Sequence, residues 1–342
     1  MPRQARIDIP GSLHHIICRG IERCDIFCDD VDRDNFVNRL VEITSITSTR
    51  CFAWALIPNH VHLLLQTGLV PISMLMQKLL GGYATYFNLR HQRHGYLFQN
   101  RYKSILCQAE SYLLELVRYI HLNPLRAGIV PSLDLLKDYR YCGHSCILGR
   151  NKDLDSWMPT KEILERFGVK QNESRKVYEN FVLDGVAKGR RSDLTGGGLL
   201  RSVGGWRELA TAKEAGLFLK SDERILGDSD FVESALTAAK ENLEKKSRYH
   251  LENVDLARLV RIVAKVINME INQVCAAGKQ PQHVQARSLL CFWAVREIGM
   301  TETALAKILQ VSQPAITHSA SRGERLAAEK GWRLQDLLER NL

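Results

Sequence analysis

No apolar run in the 342-residue chain approaches the roughly 18–20 residues a membrane-spanning helix needs. Met1 to Ile9 is polar and charged, without the hydrophobic stretch that heads a secretory signal. There are nine cysteines, an odd and scattered set with no Cys-x-x-Cys pair, which argues against a disulfide framework and a zinc ribbon alike. Cys24/Cys28 and Cys142/Cys146, each four apart, are expected to be buried thiols. The triple glycine Gly196–Gly198 is not followed by Gly-Lys-Ser/Thr, so it is no phosphate-binding loop. With Gly204 and Gly205 it reads as a hinge. Repeats and low-complexity tracts are absent as well. What is left is an ordinary globular composition, 45% hydrophobic and 25% charged, at a length that allows two or three domains. A cytoplasmic protein is expected.

The charge is uneven. Residues 1–150 hold 17 basic and 12 acidic groups, residues 151–240 hold 15 of each, and residues 241–342 hold 15 and 11. Fourteen of the first seventeen are Arg, whose planar fork suits phosphate. Two basic ends around a neutral middle suggest two polyanion-binding parts.

Periodicity gives an order of elements. Residues 12–19 read as a strand. Asp29 to Ile46 reads as a helix capped by Asp29 or Asp30, with Phe36, Val37, Leu40 and Val41 on its apolar stripe. Residues 51–66 form a strand pair, or one long strand, interrupted at Pro58-Asn59. Pro71 to Gln92 is a second helix, with Leu75, Leu79, Tyr83 and Tyr86 on one face, and 98–106 another strand. A third helix from Ala109 must stop at Leu122, because Pro124 disfavours helical geometry at Asn123. This β-α-β-α-β-α order predicts a compact α+β unit over residues 1–145. A helical and glycine-rich connection follows over 146–244, then an all-helical region over 245–342, in which Asn253 caps a helix to Asn268. The first and last parts are expected to be separable, with residues 1–150 active alone.

Two local patterns carry chemistry. In His60-Val61-His62 the imidazoles point to one face of a strand and can converge on one ion, while Val61, Leu63 and Leu65 anchor the other face. In the helix Tyr112-Leu-Leu-Glu-Leu-Val-Arg-Tyr119-Ile-His-Leu-Asn123, Tyr119 has Asn123 one turn on, where Tyr112 has Leu116. Tyr119 is therefore the better candidate for chemistry. Arg101 and Lys103 alternate on a strand and are assigned to phosphate, and Arg19 and Arg118 are assigned to DNA with them. His14 and His15 read as core histidines, with a supporting role behind His60 and His62 as the alternative. His121 lies on a different helix face from Tyr119 and is read as non-catalytic.

Asn-His-Val-His-Leu-Leu-Leu, then Phe-Gln-Asn-Arg-Tyr-Lys-Ser-Ile-Leu, then Arg-Tyr-Ile-His-Leu-Asn-Pro-Leu-Arg-Ala-Gly resemble the single-tyrosine HUH transposases, and within them the REP-associated branch. The opening Arg-Ile-Asp-Ile-Pro-Gly-Ser-Leu-His-His and the stretch Asp222 to Val232 are similar to that branch too. The resemblance implies a ferredoxin-like antiparallel sheet with helices that cuts and rejoins single-stranded DNA beside a hairpin. It places His60 and His62 on the HUH pair, Tyr119 on the nucleophile, and Asn123 on the third polar metal ligand. Two departures stand out: Ile21 follows Arg19-Gly20 where many relatives have Asn, and Asn123 is shorter than the Gln some transposases of this class use. The set is chemically coherent. A divalent ion, Mg²⁺ with Mn²⁺ able to substitute, would neutralise phosphate oxygens. The phenol, with a pKa of ~10, needs help to attack. The implied product is a 5′-phosphotyrosine and a free 3′-OH. Relatives often dimerise, so a homodimer is an open expectation.

Thr301 to His318 reads as a helix-turn-helix. Ala306 is small at the helix crossing, Val311 fills the turn, Ser312 caps the next helix, and Pro314 lies in its first turn. Ser312, Gln313, Thr317, His318 and Arg322 would face a major groove. With Gln285-Ala-Arg-Ser-Leu-Leu this region resembles the C-terminal DNA-binding domain of the replication initiator DnaA, which implies duplex DNA as its partner. The whole reads as a DNA-processing enzyme of the bacterial nucleoid. The alternatives are a domesticated DNA-binding regulator without catalysis, and a metal phosphodiesterase that uses water and for which Tyr119 is dispensable.

Overall fold

The computed structural model describes residues 7–339, apart from 69, 155, 190, 192–193, 195–221, 253, 277 and 279. It divides into two compact units, Met1–Thr237 and Ala238–Leu342. No described helix is long and apolar enough to cross a membrane. The glycine hinge at 196–205 and the Asn253 cap lie outside the described residues.

The first unit is built on a five-stranded sheet in the order β2-β3-β1-β4-β5. Its strands are β1 (Leu13–Arg19), β2 (Arg50–Ile57), β3 (His60–Gln66), β4 (Lys103–Cys107) and β5 (Ile225–Leu226). The first four pair antiparallel, with β1 between β3 and β4, which is the ferredoxin-like order expected. The fifth changes the sheet: β5 pairs parallel with β4, so the sheet is mixed. Leu106 N–H and Gln108 N–H donate to the carbonyls of Arg224 and Leu226 (2.7 and 2.8 Å), covering an edge that would otherwise expose unpaired backbone. The strand expected over 98–106 begins only at Lys103. Asn100, at φ 57°, turns the chain before it, and Phe98 makes a single bridge to Gly20.

Helix α1 (Asp30–Ile46) starts as read: the Asp29 carboxylate accepts from Asp32 N–H, and Phe36, Val37 and Leu40 are buried. Helix α2 (Ile72–Arg90) buries Leu75, Leu79 and Tyr83. Helix α3 (Ala109–His121) packs on β2 and β3 and leads into the short turn α4 (Asn123–Arg126). β2 and β3 are buried on both alternating sets of side chains apart from their ends, as strands covered on two faces must be.

The hydrophobic core does not stop at 145. Helices α5 (Leu133–Lys137), α6 (Gly143–Ile147), α7 (Thr160–Glu165) and α8 (Gln171–Asp184) follow. Met158, Ile163, Leu164, Tyr178, Val182 and Leu226 belong to the same cluster as Trp54, Leu63 and Leu116. Trp157 Nε1 donates to Thr44 Oγ1 (2.8 Å) and the Trp54 indole nitrogen meets Met158 Sδ (3.2 Å). The described residues up to Thr237 are thus part of the first unit rather than a connection. The sequence shows this stretch only as helical and glycine-rich, without the bounds of its helices or the sheet they cover.

The next helix is α9 (Ser229–Leu251). It is followed by α10 (Leu256–Ile267), capped by Asp255, whose carboxylate accepts from Arg258 N–H, and by α11 (Ile271–Val274) and α12 (Pro281–Phe292). α12 widens into one π turn over Trp293–Glu297. Then come α13 (Glu302–Leu309), α14 (Gln313–Lys330) and α15 (Leu334–Glu339). The expected short turn between α13 and α14 is present, with Gln310 in the left-handed region. Gly323 is required where α12 and α14 cross, because a Cβ there would lie 2.0 Å from the Ser288 carbonyl oxygen.

Candidate active site

β3 carries His60 and His62 side by side, with ring centroids 5.1 Å apart. Each is oriented by a neighbour through Nδ1. His62 Nδ1 lies 3.1 Å from His15 Nε2, and His60 Nδ1 lies 2.6 Å from Asn59 Oδ1. The two Nε2 atoms remain for a ligand, the arrangement by which a second residue fixes ring orientation at metal sites. Burial pushes His60 down to about 4, helped by the Arg19 charge. Burial also takes His62 well below its ordinary value, with His15, His60 and Arg19 adding to it. Both rings are therefore neutral at physiological pH and able to donate a lone pair. His15 proves to be both a fully buried core histidine and the support behind His62.

Tyr119 comes from the last turn of α3 and stands edge-on to His62 and to His15, at 6.0 and 5.9 Å between centroids. Leu122 N–H still bonds to the Arg118 carbonyl (3.0 Å), so the backbone stays near-helical as α3 gives way to α4. Tyr119 and Asn123 thereby line one cavity of about 970 Å³ together with His60 and His62. Asn123 is buried, and its amide nitrogen makes no hydrogen bond to any described group.

Arg19, Arg101 and Lys103 line the same cavity. Arg118 does not. It is buried, paired with Glu115 (2.5 Å to Oε2), donating to the Phe181 carbonyl (3.2 Å) and stacked 4.0 Å from the Phe181 ring centroid. Its neighbour Tyr119 lines the cavity, but one residue along a helix turns a side chain by ~100°, here into α8. The cavity also gathers Arg23, Asn59, Gln99, Asn100, Arg126 and Arg191, which sequence reasoning missed. Arg126 lay in view inside Asn-Pro-Leu-Arg-Ala-Gly, and Arg191 in the basic stretch after Lys188. Arg23 sits in the left-handed region at φ 64°, beside Glu22 at φ 51°, an uncommon backbone for two successive non-glycine residues.

His121 bonds through Nδ1 to Tyr178 Oη (2.8 Å), which also meets His144 Nδ1 (2.9 Å). It faces away from the cavity lining, as its helix face implies. The two cysteine pairs differ: Cys142 and Cys146 are buried thiols, but Cys24 and Cys28 are exposed. Cys28 stands near Asp32 and His91 in a grouping able to hold an ion. The buried Asp32 carboxylate is already engaged there by Arg90, His91 and Cys28 N–H.

In the second unit Ser312, Gln313 and His318 are exposed, and Ser312 occupies the cap position without a side-chain capping bond. Thr317 is fully buried, donating to Glu302 Oε2 at 2.9 Å. It shares the inward stripe of α14 with Ile316 and Ala320, so its hydroxyl serves the helix crossing instead of a groove. Arg322 is exposed, with its Nε donating to Ser288 Oγ (2.9 Å). A polar residue that pairs across an interior, as Thr317 does, looks like a surface residue in sequence.

Residues 11–123 match the family model described as "Transposase IS200 like". This stretch, which carries His60, His62, Tyr119 and Asn123, is an IS200-like transposase domain. Among solved structures, one of a REP-associated tyrosine transposase bound to a REP hairpin is similar at 15% identity and a TM-score of 0.37, over 47% of this chain and 90% of that one. No curated protein matches the chain significantly.

Proposed function

We propose that this protein is a metal-dependent single-stranded DNA endonuclease and strand transferase that works through Tyr119 at hairpin-associated sites. The observation that carries it is the convergence of two neutral imidazoles, a buried amide and a phenol on one cavity rimmed by five cationic side chains besides Arg126.

The donor set fits a divalent ion: His60 and His62 through Nε2, and Asn123 through its amide oxygen, would hold Mg²⁺, or Mn²⁺ in its place. When bound, the ion supplies charge neutralisation at the nonbridging phosphate oxygens. Arg19, Arg101, Lys103, Arg23 and Arg191 hold the flanking phosphates and draw one strand across the cavity. Tyr119 Oη gives up its proton and forms a bond to the scissile phosphorus. The bond to the 3′-oxygen of the preceding nucleotide breaks, and that oxygen takes a proton to become a 3′-OH. The 5′-phosphotyrosine keeps the phosphodiester's bond energy, so attack by a 3′-OH reverses the step and joins strands without a nucleotide cofactor.

Wild-type protein incubated with an end-labelled hairpin oligonucleotide and Mn²⁺ should give an adduct that survives denaturant and is removed by protease. No adduct on any hairpin substrate that the protein binds would refute the proposal. His60→Ala and His62→Ala should each lower cleavage by about 10²–10³-fold while DNA affinity falls less than about threefold, since cationic contacts supply most of it. Full activity in excess chelator would contradict the ion's role.

The second unit is proposed to bind duplex DNA through the exposed N-terminal side of α14, at Gln313 and His318. Its affinity should fall steeply with salt. Replacing both residues by Ala should reduce sequence preference more than non-specific binding. Thr317→Val should instead cost about 1–3 kcal/mol of stability through the lost bond to Glu302. A folded second unit with no duplex binding at low salt would exclude this role.

A further inference from the structure

Arg126 sits beside the reacting tyrosine and is held from outside the matched domain. Its guanidinium lies 5.5 Å from the Tyr119 ring centroid. Nη1 reaches the Tyr119 carbonyl at 3.5 Å, and Nη2 donates to the Gly185 carbonyl at 3.1 Å. Gly185 is the C-cap of α8. The last carbonyls of a helix have no partner within it and form the negative end of its dipole. A guanidinium placed there is satisfied and oriented at once. Arg118 does the same one turn back, at the Phe181 carbonyl. The contact is close: a Cβ on Gly185 would lie 2.5 Å from Arg118 Cδ and 2.9 Å from a Leu122 methyl. The tyrosine helix is thus fastened to the end of α8, more than 45 residues beyond the matched stretch 11–123.

We propose that Arg126 is a positioning residue for Tyr119: anchored on the end of α8, its guanidinium fixes the phenol ring in line for attack. This rests on the reading of Tyr119 as nucleophile. Arg126 also lines the cavity, so a simple phosphate contact is the competing role, and the two differ in what they change. A phosphate contact is overcome by saturating DNA. Misplacing a nucleophile by about 1 Å costs up to about 10²-fold at saturation, and it slows rejoining by the same factor as cleavage, leaving the internal equilibrium unmoved.

The test uses the full chain, with rates normalised to the folded fraction from circular dichroism. Single-turnover adduct formation at saturating hairpin oligonucleotide, and rejoining from the isolated adduct, are measured for wild type, Arg126→Ala, Arg126→Lys and Gly185→Ala. Arg126→Ala should be slower by about 10–100-fold in both directions, with the dissociation constant for DNA within about threefold. Arg126→Lys should recover part of the loss, since Lys can bond a carbonyl but lacks the planar stack. Gly185→Ala, which is outside the cavity lining, should also slow both directions without weakening DNA binding. Failure of wild type to form an adduct would sink the nucleophile reading itself. Wild-type adduct together with wild-type rates for Arg126→Ala at saturation would overturn the positioning role alone.

Discussion

Tyr119→Phe should abolish the protein–DNA adduct and slow strand cleavage by at least about 10⁴-fold, the scale seen when a covalent nucleophile is removed. The substitution is clean. The ring that packs edge-on to His15 and His62 is retained, and so is the backbone carbonyl that Arg126 reaches. Only the hydroxyl goes. DNA affinity should stay within about threefold, because the cations around the cavity are untouched, and the melting temperature should move by only a few degrees. Gel mobility of labelled DNA after denaturation and protease treatment reads the adduct, and single-turnover kinetics read the cut. Cleavage at a comparable rate by the variant would mean that water is the nucleophile, and the enzyme would then be a metal phosphodiesterase.

A fragment of residues 1–150 should fail to fold and to cut DNA, whereas residues 1–237 should do both. The short fragment lacks Ile163, Leu164, Tyr178, Val182 and Leu226, all buried in the core of the first unit. At ~1.5–3 kcal/mol for each large apolar side chain, their loss is on the order of the whole stability of a typical domain. It also strips Tyr178 from His121 and α8 from Arg118, leaving groups buried in the parent without the partners that satisfied them. Far-UV circular dichroism with thermal melting, followed by the hairpin cleavage assay, separates the two fragments. A cooperative melt and cleavage from residues 1–150 would show that α7, α8 and β5 are dispensable.

Local periodicity was enough for much of the candidate site. Alternation along a strand puts His60 and His62 on one face whatever the strand pairs with, and helical spacing brings Tyr119 near Asn123. An aspartate ahead of an amphipathic stretch starts α1 where expected. These features depend on neighbours within about one turn or two strand positions, so the chain order alone specifies them. The same reading misplaced residues whose role depends on a distant partner. Arg118 reads as a DNA-facing cation and Arg126 draws no assignment at all, and only the position of α8 separates the one buried against Glu115 and Phe181 from the one whose guanidinium lies over the Tyr119 ring. Thr317 looks like a groove contact until α13 places Glu302 against it. The two-residue strand β5 has no periodicity of its own and exists because β4 has an open edge. Pairing across more than a hundred residues is chosen by the energy of filling backbone bonds and covering apolar surface, and that energy is defined only once the elements have met.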